Sequence, residues 1–189
     1  MAIVLTTDDT RREVFLKAEQ AKVQTGGGGA KEPYIEETYD ANGNLIDANL
    51  VGYTFIRIAA FYSCKNLALT SLPSGITSIG DSAFSYCTNL ALTSLPSGLT
   101  VIGNYAFNSC TKLALTSLPS GITSIGASTF ENCTGLTSIT FKGKPRSIHS
   151  TAFNGCTNLK TINVPWASGE VANAPWGATN ATINYNYTG

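Results

Sequence analysis

A 23-residue repeat runs through the middle of this 189-residue chain without an insertion. The stretch SYCTNLALTSLPSGLTVIGNYAF at 85–107 follows the nearly identical YSCKNLALTSLPSGITSIGDSAF at 62–84. Self-similarity of this length predicts a solenoid, in which each copy makes one turn of a coil and buries its apolar side chains against its neighbours. The residues expected to form the buried ladders are Cys64, Cys87, Cys110, Cys133 and Cys156, and Phe61, Phe84, Phe107, Phe130 and Phe153.

Local signals divide each copy into two sides. The tetrapeptide Leu-Pro-Ser-Gly predicts a turn, because proline fixes its own φ and glycine leaves the backbone permissive. The short aliphatic segments that follow it, such as ITSIG, predict strands, and the small-Phe-x-x-Cys spacing of DSAFSYC predicts an inward-facing helical turn. The expected fold class is therefore an α/β repeat solenoid of about five turns with a parallel strand ladder.

Segments at both ends of the chain are expected to be distinct from the repeats at 56–164. Residues 1–30 join good helix formers, over 8–23, to four consecutive glycines, which predicts a helix on a flexible linker. Residues 31–55 contain YDANGNLI, whose Asn-Gly pair predicts a hairpin that caps the first coil.

The C-terminal region, 165–189, is the second expected cap. It ends in ATINYNYTG, where Ile183, Tyr185 and Tyr187 alternate as in a half-buried strand. Trp166 and Trp176 lie in the same region. They either plug the end of the core or stack on the sugar rings or side chains of a partner.

Charge and hydropathy exclude some classes of protein. No run of about 18 apolar residues is present, so we expect no membrane insertion. The start of the chain becomes charged before a secretory h-region forms, which predicts synthesis in the cytoplasm and release by lysis or in a virion. Residues 56–164 hold seven basic and two acidic residues, but the basic residues are thinly spread apart from Lys142, Lys144 and Arg146, so we expect no nucleic-acid partner.

The pattern Cys-x-x-Leu, Leu-Pro, Ile-Gly-x-x-Ala-Phe-x-x-Cys resembles the BspA-type leucine-rich repeat over residues 56–165 or so. CTGLTSITF at 133–141 is similar to the usual strand of that family. The resemblance implies a right-handed leucine-rich-repeat coil with roles in adhesion and protein recognition at cell surfaces. The stretch at 164–187 also resembles the ends of leucine-rich-repeat proteins encoded by phages and prophages of gut bacteria, some beside tail genes.

The first three copies depart from the usual strand at one position. An apolar residue stands two places after the repeat leucine, where plain alternation points outward, and a threonine takes the inward place. Either the backbone bulges and turns these leucines inward, or they form an exposed apolar ladder that contacts a partner. The residues concerned are Leu69, Leu92 and Leu115, with Thr70, Thr93 and Thr116.

The sequence predicts no catalytic, cofactor or metal site. Zinc ligands come in pairs about two to four residues apart, whereas these cysteines are 23 apart, so we interpret them as buried reduced thiols. The single histidine, His149, has no cysteine or carboxylate close to it in sequence. A glycosidase needs two carboxylates, and the repeats offer only Asp81 and Glu131, so we do not expect an enzyme.

These observations favour a recognition module that binds a protein or glycan on a cell surface, as a receptor-binding or accessory component of a phage tail. The candidate contacts are Leu69, Leu92, Leu115, Thr70, Thr93, Thr116, Trp166 and Trp176. Two alternatives remain: a structural spacer that docks or self-associates through residues 1–30, and a fragment of a secreted-type bacterial surface adhesin.

Overall fold

The computed structural model describes residues 37–189, and in that part of the chain it shows eleven short strands and no helix. The helix expected over 8–23 lies outside the described residues. In chain order the strands are β1 (Glu37–Tyr39), β2 (Leu45–Ala48), β3 (Phe55–Ile56), β4 (Ser78–Ile79), β5 (Val101–Ile102), β6 (Ser117–Leu118), β7 (Ser124–Ile125), β8 (Ser138–Phe141), β9 (Ser147–Ile148), β10 (Thr161–Asn163) and β11 (Thr182–Asn184).

Two parallel sheets form the solenoid that the repeat predicts. One has five strands in the order β3-β4-β5-β7-β9, and the other has four in the order β11-β10-β8-β6. In the five-stranded sheet each isoleucine pairs with its equivalent 23 residues along the chain, as Ile56 does with Ile79 and Ile102 with Ile125. These isoleucines are buried because strand alternation turns one residue of each strand into the coil. The fixed period therefore sets the register of the whole ladder.

The third side of each coil, which we call the turn face, comprises residues 59–64, 82–87, 105–110, 128–133 and 151–156. Alternate amides here bond in two directions. The Tyr62 amide donates to the Ala59 carbonyl within the coil (3.1 Å), whereas the Phe61 amide donates to Ala83 of the next coil (2.8 Å). An α-helix sends every amide to the carbonyl four residues back, so the predicted helical turn is wrong. Consecutive turns linked by a third inter-coil ladder take its place.

The phenylalanines of the turn face stack inside the coil. Ring centroids of successive phenylalanines from Phe61 to Phe153 lie 5.2, 5.5, 5.6 and 5.3 Å apart, and their planes differ by 10° or less. All five side chains are at most 1% exposed. The predicted phenylalanine ladder is thus the continuous core of the solenoid.

The buried isoleucines of β4, β5 and β7 are each followed by a glycine, because neighbouring coils lie very close at this position. These glycines are Gly80, Gly103 and Gly126. A Cβ on Gly80 would lie 2.5 Å from the Ile58 amide nitrogen, and one on Gly103 would lie 2.5 Å from the Asp81 nitrogen. The fourth copy has His149 at this position. The coil before it carries the short Ala127 where earlier coils carry Asp81 and Asn104. The glycine is needed because neighbouring coils almost touch here.

Both ends of the solenoid carry atypical segments. At the N-terminal end β1 and β2 form the predicted antiparallel hairpin, and the Asp40 carboxylate accepts the Asn42 and Asn44 amides across its turn at 2.9 Å each. At the C-terminal end β11 adds in parallel to β10, which confirms a strand in ATINYNYTG, but the strand ends at Asn184 and leaves Tyr185 and the exposed Tyr187 outside it. β11 thus covers the edge of β10, whereas the hairpin forms its own sheet and bonds the first coil where the Ala68 amide donates to the Ile46 carbonyl at 2.8 Å.

Candidate ligand-binding groove

The three leucines whose orientation the sequence leaves open are buried. Leu69, Leu92 and Leu115 are 8%, 0% and 1% exposed, whereas Thr70, Thr93 and Thr116 are exposed. The backbone turns these leucines inward, and the first two copies have no regular strand at this place. An exposed leucine ladder is therefore wrong, and only the threonine row remains on the surface.

The two tryptophans lie in the core at the C-terminal end. Trp166 is 4% exposed and Trp176 is 0% exposed, and both rings pack against Phe141 at centroid distances of 5.3 and 6.2 Å. The Trp176 indole Nε1 donates to the Ala172 carbonyl at 2.7 Å, whereas the buried Trp166 Nε1 has no partner. These rings plug the end of the core, so they offer no face for stacking on a partner.

The cysteines form no disulfide. Cys87, Cys110, Cys133 and Cys156 are buried, and each thiol donates to the carbonyl of the phenylalanine 26 residues earlier, at 2.9 to 3.0 Å. Burial raises the pKa of Cys110 and Cys156 to about 12, and the pKa of Cys133 well above its usual value. Cys64, in the first coil, is half-buried. These thiols are structural, because a buried neutral thiol is a poor nucleophile.

The candidate acid, base and metal residues are not brought together. Among residues 37–189 no group of three potential metal ligands occurs. His149 is exposed and its Nδ1 lies 3.0 Å from the Thr151 hydroxyl. The Asp81 carboxylate accepts the Asn104 amide at 2.8 Å, which ties it to the next coil.

An open groove of about 410 Å³ lies on the turn face of the first four coils. We call it the tyrosine groove. Three tyrosines line it, with 52%, 44% and 46% of their surface exposed for Tyr62, Tyr86 and Tyr105. The rings of Tyr62 and Tyr86 meet edge to face with centroids 5.7 Å apart. The remaining lining residues are Ser82, Ser85, Asn108, Glu131 and Asn132.

The backbone conformation of two of these tyrosines is unusual. Tyr86 and Tyr105 have φ of 62° and 57°, in the left-handed region. The equivalent positions in other copies carry smaller residues: Ser63, Ser109, Asn132 and Gly155 for Tyr86, and Ala59, Ser82, Ser128 and Thr151 for Tyr105, and all of them except Thr151 share the left-handed backbone. Left-handed backbone costs a bulky residue roughly 1 kcal/mol relative to the glycine or asparagine that adopts it readily. The coil has no structural need of a tyrosine at either place.

The position after each phenylalanine forms a polar row along the groove. Its members are Tyr62, Ser85, Asn108, Glu131 and Asn154. The side-chain amides of Asn108 and Asn154 donate to the two oxygens of the Glu131 carboxylate, at 3.2 and 3.0 Å. The groove thus combines exposed aromatic faces with one carboxylate that is held in place from both sides.

Sequence reasoning missed this groove because its residues do not share one position of the repeat. The three tyrosines stand one residue after, two after and two before their phenylalanine. Only the stacking of coils brings these positions side by side. The one available signal was substitution away from the repeat consensus, where serine or asparagine gives way to tyrosine.

Comparisons with protein families and with curated proteins gave one match. A family model described as the BspA type leucine rich repeat region matches residues 54–174 in six copies, one more than the cysteines mark. The comparison with curated proteins found no match.

Within residues 37–189, no helix long and apolar enough to span a bilayer is found.

Two solved structures are similar to this chain. A leucine rich cell surface protein from Faecalibacterium prausnitzii A2-165 has 26% identity and a TM-score of 0.54, over 82% of this chain and 39% of that one. A T. pallidum leucine rich repeat protein has 19% identity and a TM-score of 0.51, over 84% of this chain and 100% of that one. The second similarity concerns the fold alone.

Proposed function

Because the chain belongs to the BspA-type leucine-rich repeat family, we propose that it is a non-enzymatic recognition module whose tyrosine groove binds a protein or glycan on a cell surface. A stacked coil suits this role, since a preformed rigid surface loses little conformational entropy on binding. The similarity to a protein described as a leucine rich cell surface protein supports the cell-surface setting.

The observation that carries the proposal is the pair of left-handed tyrosines, Tyr86 and Tyr105. Other copies hold small residues or asparagine in this left-handed conformation, so a bulky side chain there is a cost that the fold does not require, and such a cost is typical of functional sites. Exposed tyrosines bury large area on binding at low cost in side-chain entropy, and they are enriched at interfaces.

Cell binding tests this proposal. The labelled chain is incubated with a panel of bacterial and host cells, beside Tyr86→Ser and Tyr105→Ser, which install a residue that other copies already carry there. Tyr187→Ser is the matched control, because Tyr187 is 41% exposed but lies outside the groove. We expect the groove variants to lose binding at least tenfold and the control to retain it. Equal binding by all variants would remove the groove from the proposal.

More specifically, we propose that this recognition module is a receptor-binding or accessory component of a phage tail. Its support is the resemblance of the stretch at 164–187 to the ends of leucine-rich-repeat proteins of phages and prophages. Tail or lysis genes on either side of the coding sequence would favour it, and genes for surface anchoring would favour a bacterial adhesin.

A structural spacer is the second candidate, with docking through residues 1–30. Truncation after residue 30 separates the two functions. A recognition module binds cells without this segment, whereas a spacer that docks through it does not.

A further inference from the structure

Within residues 37–189, Glu131 lies in the tyrosine groove without a cationic partner. Both of its oxygens accept hydrogen bonds, but the donors are the neutral side-chain amides of Asn108 and Asn154. No lysine, arginine or histidine in the described part of the chain forms an ion pair with it. Each carboxylate oxygen has a further lone pair, so a fixed negative charge is left open to the groove.

The tyrosine rings add to the same electrostatic character. The face of an aromatic ring is the negative part of its quadrupole, so it attracts an ammonium or guanidinium group within about 6 Å. Tyr62, Tyr86 and Tyr105 lie at the open surface of the groove. None of the described residues that line the groove is basic.

The groove is too long for a single small cation. It runs across four coils, and the successive phenylalanine centroids beneath it are 5.2, 5.5 and 5.6 Å apart. Its length of roughly 16 Å matches about five residues of extended chain at 3.3 Å per residue. Glu131 marks one end of this path and Tyr62 the other.

We propose that the tyrosine groove binds an extended segment of a protein partner, with an arginine or lysine head against Glu131 and the rest of the segment along the tyrosines. This inference rests on the proposed function and names its partner class. Charge complementarity selects a peptide over a neutral glycan. Among the described residues that line the groove Glu131 alone is charged, and its partners, the side-chain amides of Asn108 and Asn154, are neutral.

Nuclear magnetic resonance of the full chain tests the proposal. The side-chain amide signals of Asn108 and Asn154 report directly on the Glu131 carboxylate that they contact. The probes are an acetylated, amidated Gly-Gly-Arg-Gly-Gly peptide and the same peptide with citrulline, the neutral isostere of arginine. We expect the arginine peptide to shift these signals and to bind about tenfold more tightly than the citrulline peptide, because a charge-assisted hydrogen bond is the stronger one.

The variant Glu131→Gln keeps the side-chain length and removes the charge. We expect it to bind the arginine peptide about tenfold more weakly and to abolish the preference over citrulline. Raising the salt concentration should weaken binding to the wild-type chain but leave the variant unchanged. Glu131→Asn, which copies the residue at 108 and 154, is the second variant and guards against local misfolding.

Three results would overturn the inference. The first is equal binding of both peptides, and the second is no shift with either. The third is that neutral tetrasaccharides shift the same side-chain amide signals in the wild type and in Glu131→Gln alike. Cell binding separates this failure from that of the proposed function: if Tyr86→Ser loses cell binding and Glu131→Gln does not, the groove is a recognition site but its ligand is not a basic peptide.

Discussion

Each buried cysteine joins two coils through a hydrogen bond. The Cys110 thiol donates to the Phe84 carbonyl at 3.0 Å, and Cys133 repeats the contact with Phe107. A small apolar side chain with a weak donor fits this place, since alanine leaves the carbonyl with one fewer partner and serine adds a hydroxyl to desolvate. At residue scale the cysteine ladder is therefore a packing and hydrogen-bonding device.

The shifted thiols predict a loss of stability in alkali. An unfolded thiol loses its proton near pH 9, whereas the pKa of Cys110 in the folded chain is about 12. Between these values the unfolded state binds fewer protons, so each such thiol lowers the free energy of unfolding by up to about 1.4 kcal/mol per pH unit. Denaturant unfolding at pH 8 and pH 10 measures this. Cys110→Ala should show a smaller loss between the two pH values, and an equal loss would contradict the assignment.

The left-handed tyrosines predict an unusual pairing of stability and binding. Tyr86→Ser removes a bulky residue from φ of 62° and restores the residue found at 63 and 109. We expect the free energy of unfolding, measured by thermal denaturation, to stay the same or to rise by up to about 1 kcal/mol. Cell binding should fall. A variant that loses binding because it loses stability would show instead that the ring supports the fold.

At the scale of the element, contact between coils fixes which residue follows each buried isoleucine. A Cβ on Gly126 would meet the Asn104 carboxamide, whose Oδ1 accepts the Ala127 amide at 2.8 Å. Gly126 and Asn104, one coil earlier, therefore form one packing unit, in which the glycine leaves room for the asparagine side chain. The His149 copy supports this, because the coil before it has Ala127 at the matching place.

A double-mutant cycle checks that unit. Gly126→Ala alone should lower the free energy of unfolding by about 1–3 kcal/mol through overpacking. With Asn104→Ala present the same change should cost less, because the clashing carboxamide is gone. Chemical denaturation of the four proteins gives the coupling energy, and strict additivity would show that the two residues act independently.

The sequence predicted much of the architecture and little of the site. The 23-residue recurrence of Phe61 and its equivalents predicts coil, register and core, because equivalent residues of stacked turns lie next to one another. It could not separate a helical turn from consecutive turns, since both place small-Phe-x-x-Cys on one face. The turns prevail because alternate amides bond the next coil. Tyr62, Tyr86 and Tyr105 escaped prediction because periodicity carries no information about the residues that break it.

At the scale of the whole molecule, the C-terminal end is closed by aromatic packing. Phe141 contacts Phe153, Trp166 and Trp176, with centroids 5.3 to 6.4 Å away. The Phe153 amide donates to the Trp176 carbonyl at 2.9 Å, so the cap continues the turn-face ladder by one more coil. A solenoid depends on such caps because its last copy has no neighbour to cover it.

Removing the plug tests the importance of the cap. Trp176→Ala should lower the free energy of unfolding by about 3–5 kcal/mol, the usual cost of deleting a buried aromatic ring. The chain has two tryptophans, both buried in this cap, so the emission of the remaining Trp166 reports on this end while circular dichroism reports on the entire coil. A red-shifted emission maximum with retained far-ultraviolet signal would indicate local opening. An unchanged emission maximum and unchanged stability would contradict the role of the ring.

The near identity of consecutive copies also has a consequence for the gene. Successive copies are exchangeable in three dimensions, because each contacts its neighbours through the same ladders and the same phenylalanine stack. Unequal recombination between such copies would add or delete a whole number of codons and leave the reading frame and both caps intact. Lineages should therefore differ in coil number more readily than in coil sequence, and a longer or shorter groove would follow without any new fold having to arise.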